Sequence, residues 1–256
     1  MKKVVNLYFS GGIVSVLLSK HLVFALDYPD FASAAPILPL LAGRVGVVKI
    51  GLELFLGEGP GIVSRIRDKS GVEVFLDLKL HDIPATVERS VRNLKKLGVD
   101  YLTLHTAGGR EMLSKAADAA GDSMKILGVT VLTSSGLSTL KETGLELKDD
   151  AAMEDLVKKR AVLAMESGLA GVICSGHEAA GVKERCGAGF LAVTPGIRPA
   201  WSLGTGDDQK RVMTPERALA AGADMLVVGR PIRDAADPGW AVDQILKEMA
   251  AGKGPE

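Results

Sequence analysis

The sequence predicts an α/β fold, a single-domain (β/α)8 TIM barrel, and three observations carry that prediction. Eight short apolar runs recur along the chain, most of them followed by a segment of helical periodicity, which implies parallel strands joined by helices. Ionisable residues repeat at the C-terminal ends of successive runs, the end of a barrel where ligand sites gather. Aromatic residues make up 4 % of the chain against 47 % apolar residues overall, as suits aliphatic strands buried on both faces. A chain of 256 residues is enough for one such barrel and its core.

The first run, Leu22–Asp27, is apolar until it ends on Asp27. The second, Val45–Ile50, carries Lys49 near its end, and the third, Val72–Asp77, leads directly into Leu78-Lys79-Leu80-His81-Asp82-Ile83-Pro84. Alternation along a strand places Asp77 and Lys79 on one face, ~7 Å apart. Charges at a strand end cost roughly several kcal/mol each when buried unpaired, so an acid and a cation side by side there point to a site. Ile83, Val87, Val91 and Leu94 then recur at helical spacing opposite Glu88, Arg89, Arg92 and Lys95, and Gly98 stops that helix. The fourth run, Tyr101–His105, ends on a histidine, and the fifth, Ile126–Leu132, precedes Thr133. Ala152 to Gly168 reads as a helix ending at glycine ahead of the sixth run, Gly171–Cys174. The seventh run is Leu191–Thr194; a helix from Pro215 to Gly222 separates it from the eighth, Met225–Gly229, which opens onto Arg230-Pro231.

The 31 basic and 31 acidic residues balance, so no global field draws in nucleic acid or an anionic membrane, and an anionic ligand must be held locally. Cys174 and Cys186 read as two reduced thiols of a cytoplasmic protein. Met1-Lys2-Lys3 and the apolar stretch to Leu18 mimic a short secretory signal, with Ala32-Ser33-Ala34 resembling a cleavage site. Cleavage there would remove the first strand, so residues 1–19 read as an atypical N-terminal extension before a barrel domain over 20–256. The chain carries neither a Gly-rich nucleotide fingerprint nor a metal-ligand cluster.

Several segments together resemble the orotidine 5′-phosphate decarboxylase family. They are Phe24-Ala25-Leu26-Asp27, Val48-Lys49-Ile50-Gly51, Asp77 to Thr86, Leu132-Thr133-Ser134, Thr194-Pro195-Gly196-Ile197-Arg198-Pro199, Asp208-Gln209 and Val228-Gly229-Arg230-Pro231. The likeness runs from about Lys20 to the end, and the residues before it match nothing in the family. It implies that orotidylate loses CO2 from C6 without metal or cofactor, with Lys79 stabilising and protonating the carbanion-like centre. Asp77, Lys49 and Asp82 would complete a row of alternating charges. Asp82, Ile83 and Thr86 would come from the neighbouring subunit of a two-fold homodimer. Asp27 and Lys49 would bond the ribose and Thr133 the pyrimidine, while Arg198, Gln209, Gly229 and Arg230 would meet the phosphate. The loop from Arg198 to Arg211 would act as a closing lid.

Taken singly, these residues have structural explanations. Asp82 could cap the following helix, Asp77–Lys79 could be a strand-end ion pair, Lys49 could snorkel, and Arg230 could sit on an exposed loop. His81 and His105 read as packing or supporting groups. Two other functions remain open: a metal-dependent sugar-phosphate decarboxylase or aldolase of the same barrel group, and a non-catalytic nucleotide-binding barrel. The first carries an acidic residue where this chain has Lys49.

Overall fold

Each apolar run becomes a strand, and the eight strands pair in chain order, all parallel, until β8 returns to β1 and closes the barrel. The structure is a computed structural model and describes residues 17–202 and 212–252. The units are β1 (Leu22–Ala25) with α1 (Phe31–Ala34) and α2 (Leu38–Leu41), and β2 (Val47–Gly51) with α3 (Leu52–Glu58) and α4 (Ile62–Ser70). Then come β3 (Glu73–Leu80) with α5 (Pro84–Lys95), β4 (Tyr101–His105) with α6 (Gly109–Ala120), and β5 (Lys125–Val129) with α7 (Leu137–Glu142) and α8 (Asp150–Glu166). The last are β6 (Gly171–Ile173) with α9 (Ala179–Cys186), β7 (Leu191–Thr194) with α10 (Pro215–Ala220), and β8 (Met225–Val228) with α11 (Arg230–Arg233) and α12 (Pro238–Gly252).

Strand alternation divides the core into two layers. Val74, Leu76 and Leu78 point outward into the layer shared with the helices, while Phe75 points inward with Val23, Val47, Tyr101, Leu127 and Val193. The inner layer is thus a packed floor rather than a channel, and polar groups begin only above it. Gly171 is needed at the β6–β7 contact, because a Cβ there would lie 2.4 Å from the Leu191 carbonyl oxygen.

The helices start and stop where local chemistry allows. Asp149 caps α8 by accepting from the Ala152 N–H at 2.9 Å, which moves its start ahead of the Ala152 expected from the sequence. Gly168 and Gly98 follow their helices at φ +84° and +75°, values open to glycine. Asp82 does not cap α5. Its Oδ1 accepts from the adjacent Ile83 N–H at 2.6 Å, and α5 begins at Pro84, whose missing N–H needs no partner in a first turn.

At the N-terminal end, Leu18 is buried in the outer layer and the Ser19 carbonyl accepts from the Gly46 N–H at 2.7 Å. These two residues of the expected extension therefore pack on the barrel, and residues 1–16 lie outside the described ones. Both cysteines are free thiols, and burial pushes the Cys174 thiol well above its ordinary range. Among the described residues no helix is long and apolar enough to cross a membrane.

Leu102, fully buried on β4, sits in the outer layer away from the barrel mouth. Leu102→Ala is expected to lower unfolding free energy by about 2–5 kcal/mol in urea titration. A loss under about 1 kcal/mol would contradict the packing described.

Candidate active site

A bulge in β3 builds the site. Leu76 pairs with Leu102 and Leu80 with Leu104, so Asp77, Leu78 and Lys79 all stand opposite the single residue Thr103. The extra residues let the strand run on to Leu80, past the Asp77 at which the apolar run ends. Lys79 takes φ +50°, the only non-glycine residue at positive φ among the described ones. Such a conformation costs an L residue about 1–2 kcal/mol and persists only where its surroundings hold it. Here the holder is Thr103, wholly buried, whose Oγ1 accepts from the Lys79 N–H at 2.9 Å and donates to Asp77 Oδ1 at 2.9 Å.

Charges then alternate across three strand ends. Asp77 Oδ2 lies 2.9 Å from Lys79 Nζ and 3.5 Å from Lys49 Nζ, and Lys49 Nζ lies 3.1 Å from Asp27 Oδ1. The Asp77 and Lys49 side chains are only 14 % and 11 % exposed, so each charge there needs opposite charge beside it. Burial by itself would raise the Asp77 pKa. The ammonium groups of Lys49 and Lys79, helped by the Lys79 and Thr103 hydrogen bonds, outweigh it and hold the carboxyl below its ordinary value.

These groups line one side of a cavity of about 440 Å³. Its floor is apolar: Phe75, Val129, Ile173 and Val227. Thr133 lies beyond β5, and Arg198, Gly229 and Arg230 beyond β7 and β8. Arg198 is held by its own segment: its Nη1 donates to the Ile197 carbonyl at 2.9 Å, and its N–H donates to the Met213 carbonyl at 2.9 Å. The cavity is therefore polarised. A row of two acids and two ammonium groups carries no net charge at one side, and guanidinium groups gather at the other.

Of the residues expected from the sequence, the structure brings Asp27, Lys49, Asp77, Lys79, Thr133, Arg198, Gly229 and Arg230 to this one cavity. Asp82, Ile83 and Thr86 do not line it; Asp82 and Ile83 are exposed and Thr86 is half-buried on α5. Gln209 and the loop from 203 to 211 lie outside the described residues. Two contributors were not foreseen. Thr103 gives only the weak signal of a hydroxyl on an inward strand position. Arg233, one turn after Arg230, also lines the cavity. It grips Asp234 through Nε and Nη2 at 2.6 and 3.0 Å and donates from Nη1 to the Asp27 carbonyl at 3.0 Å, tying the β1 loop to the β8 loop.

The His81 and His105 rings lie 5.5 Å apart. Burial, then His81, Lys79 and Arg160, pushes the His105 pKa below its ordinary value, so this ring is neutral at pH 7. Among the described residues, no group of three His, Cys, Asp or Glu side chains is placed to hold a metal ion.

The family model described as orotidine 5′-phosphate decarboxylase / HUMPS family matches residues 20–245. The chain belongs to this family. The orotidine 5′-phosphate decarboxylase of Desulfosudis oleivorans is 46 % identical over 230 residues, covering 90 % of this chain and 92 % of that one. That of Anaeromyxobacter sp. is 47 % identical over 234 residues, covering 91 % and 98 %. Among solved structures, orotidine 5′-phosphate decarboxylase from Lactobacillus acidophilus matches with a TM-score of 0.76 at 36 % identity, over 90 % of this chain and 99 % of that one. The family's barrel is thus present in this chain.

The Asp77 pKa lies below its ordinary 3.8, so the ionised carboxylate stabilises the fold above that pH and its contribution is lost as pH falls through the folded-state value. Below pH 3.8 the wild-type melting temperature is therefore expected to fall more steeply than that of Asp77→Asn. Parallel curves would contradict the charge pairing.

Proposed function

We propose that the protein converts orotidine 5′-monophosphate to uridine 5′-monophosphate and CO2, a step of pyrimidine biosynthesis, without metal or cofactor. The observation that carries this reading is the Asp27–Lys49–Asp77–Lys79 row, set across a single cavity from Arg198 and Arg230. Losing CO2 from C6 leaves an electron pair in an sp² orbital that the pyrimidine ring is not placed to absorb. A fixed ammonium beside C6 stabilises that pair, and preorganised charge in a water-poor site is often the largest catalytic contribution. Lys79 has this role: as the C6–carboxylate bond breaks, an Nζ proton moves to C6, and the neutral amine is reprotonated from solvent. Asp77 pairs with the Lys79 ammonium beforehand and stands close to the substrate carboxylate, where repulsion relieved by departure of CO2 adds a secondary effect. Asp27 and Lys49 bond the ribose hydroxyls and Thr133 orients the pyrimidine. Arg230, with the Gly229 backbone and Arg198, holds the phosphate, whose remote binding helps drive the chemical step.

The metal-dependent sugar-phosphate reaction fits the cavity less well. Lys49 places an ammonium between the Asp27 and Asp77 carboxylates, the position a divalent cation would need to bridge them. The curated relatives compared above all carry the orotidylate name. A non-catalytic nucleotide-binding barrel would have no use for Lys79 held in a strained backbone.

The same reading includes a two-fold homodimer in the cytoplasm. Ile83, 65 % exposed, and its neighbours Asp82 and Thr86 lie outside their own cavity and would reach the partner's. The two free thiols fit a reducing compartment.

Ultraviolet absorbance of orotidylate mixed with the protein in EDTA tests the reaction. Rapid loss of the orotate band is expected with wild type, and a rate lower by more than about a thousandfold with Lys79→Ala. Activity that vanishes in EDTA and returns with Mg²⁺ would overturn the metal-free reading. Binding of uridylate with no turnover of orotidylate would favour the non-catalytic barrel. The dimer is tested by mixing: Lys79→Ala and Asp82→Ala proteins, each poor alone, should regain about a quarter of wild-type activity after subunit exchange, because one site in four is then intact. No recovery between exchanged subunits would place Asp82 in its own site or in none.

A further inference from the structure

We propose that Thr103 is a positioning residue for this reaction, a hydroxyl that sets the geometry of both Asp77 and Lys79 without touching substrate; the inference rests on the decarboxylase reading. Thr103 is wholly buried beneath the cavity and is not part of its wall. The bulge leaves the Lys79 N–H without a ladder partner, because three residues of β3 share one residue of β4. Thr103 Oγ1 supplies that partner, and its single proton is thereby committed to Asp77 Oδ1. One hydroxyl therefore does two things at once. It stabilises the positive-φ turn that aims the Lys79 side chain, and it fixes the Asp77 carboxylate so that its other oxygen, Oδ2, faces both ammonium groups.

The groups facing Asp77 from the packed elements are Lys49 of β2, Lys79 of β3 and Thr103 and His105 of β4, with Asp27 beyond Lys49. Only Thr103 among them bonds Oδ1. A hydroxyl is also the smallest group that can accept from a backbone N–H and donate to a carboxylate within the space of one strand residue. Valine has the same shape and neither capacity, so it removes the two bonds without opening a cavity. Serine keeps both bonds and loses only a methyl group.

The test compares Thr103→Val and Thr103→Ser with wild type, using circular dichroism to establish folding. With Thr103→Val, kcat is expected to fall about 10- to 100-fold while KM changes less than about threefold, because the misplaced groups act on the reacting centre rather than on the phosphate. Thr103→Ser should return kcat to within about threefold of wild type. Independently of turnover, the Asp77 carboxyl, followed by carbon NMR in aspartate-labelled protein, should titrate at higher pH in Thr103→Val and at its wild-type position in Thr103→Ser. An unchanged kcat in Thr103→Val, equal impairment in Thr103→Ser, or an unmoved Asp77 titration would each overturn the inference. Should Thr103→Val fail to fold, Thr103→Ala against Thr103→Ser gives the same readings. A wild-type protein inactive on orotidylate would remove the functional reading alone, and the Asp77 titration would still decide whether Thr103 governs that carboxylate.

Discussion

Keeping Asp77 ionised at 14 % side-chain exposure takes two ammonium groups and a hydroxyl, and the mouth of the barrel is built around meeting that requirement. A carboxylate so far from water would otherwise take up a proton, and a neutral Asp77 would no longer form an ion pair with Lys79. Lys49 pairs in register with Phe75 and reaches along the barrel to bring Nζ within 3.5 Å of Asp77, whose own register partner is Gly51, and a regular strand ending at Asp77 would offer no second cation. The β3 bulge removes that restriction. It lengthens the strand past Asp77, turns Lys79 through a left-handed residue, and seats Nζ 2.9 Å from the carboxylate it must accompany.

The rest of the cavity follows from dividing charge between its two sides. The row of four charges from β1 to β3 balances internally, so its strength is local and directional rather than a field that would attract any anion. The guanidinium groups lie at the β7 and β8 ends, where Arg233 is already engaged by Asp234 and by the Asp27 carbonyl. That cross-link joins the two sides of the barrel seam, so the arginine side and the acid–ammonium side are held in one frame. Between them the floor of Phe75 and aliphatic side chains keeps water from the base of the site, which strengthens every charge above it.

Much of this was legible in the sequence because two periodicities report different things. Apolar runs recurring between helical segments locate the strands, and β4 and β7 fall on Tyr101–His105 and Leu191–Thr194, the very limits of their runs. Polar residues at the ends of those runs locate the mouth, and eight expected site residues share its cavity. What escaped was set by contacts that no spacing encodes. A bulge has no period, so neither the left-handed turn at Lys79 nor the hydroxyl of Thr103 beneath it could be anticipated. Arg233 looks like an ordinary surface arginine until the β1 loop is seen to lie against it. Asp82, Ile83 and Thr86 are absent from the cavity of their own chain, and the part proposed for them would require a second subunit. Asp77 and Lys79 do reach the same cavity, as expected, but by way of the bulge and the left-handed residue rather than along a regular strand.

In the proposed mechanism Lys79 is the group that exchanges a proton with C6. By microscopic reversibility, the group that protonates C6 must also be able to remove a proton from it. Uridylate incubated with the protein in D2O and followed by proton NMR tests this without any decarboxylation. Slow loss of the C6–H signal is expected with wild type and none with Lys79→Ala in folded protein that still binds the nucleotide. Exchange that proceeds equally in Lys79→Ala would contradict the mechanism and assign the proton transfer to another group.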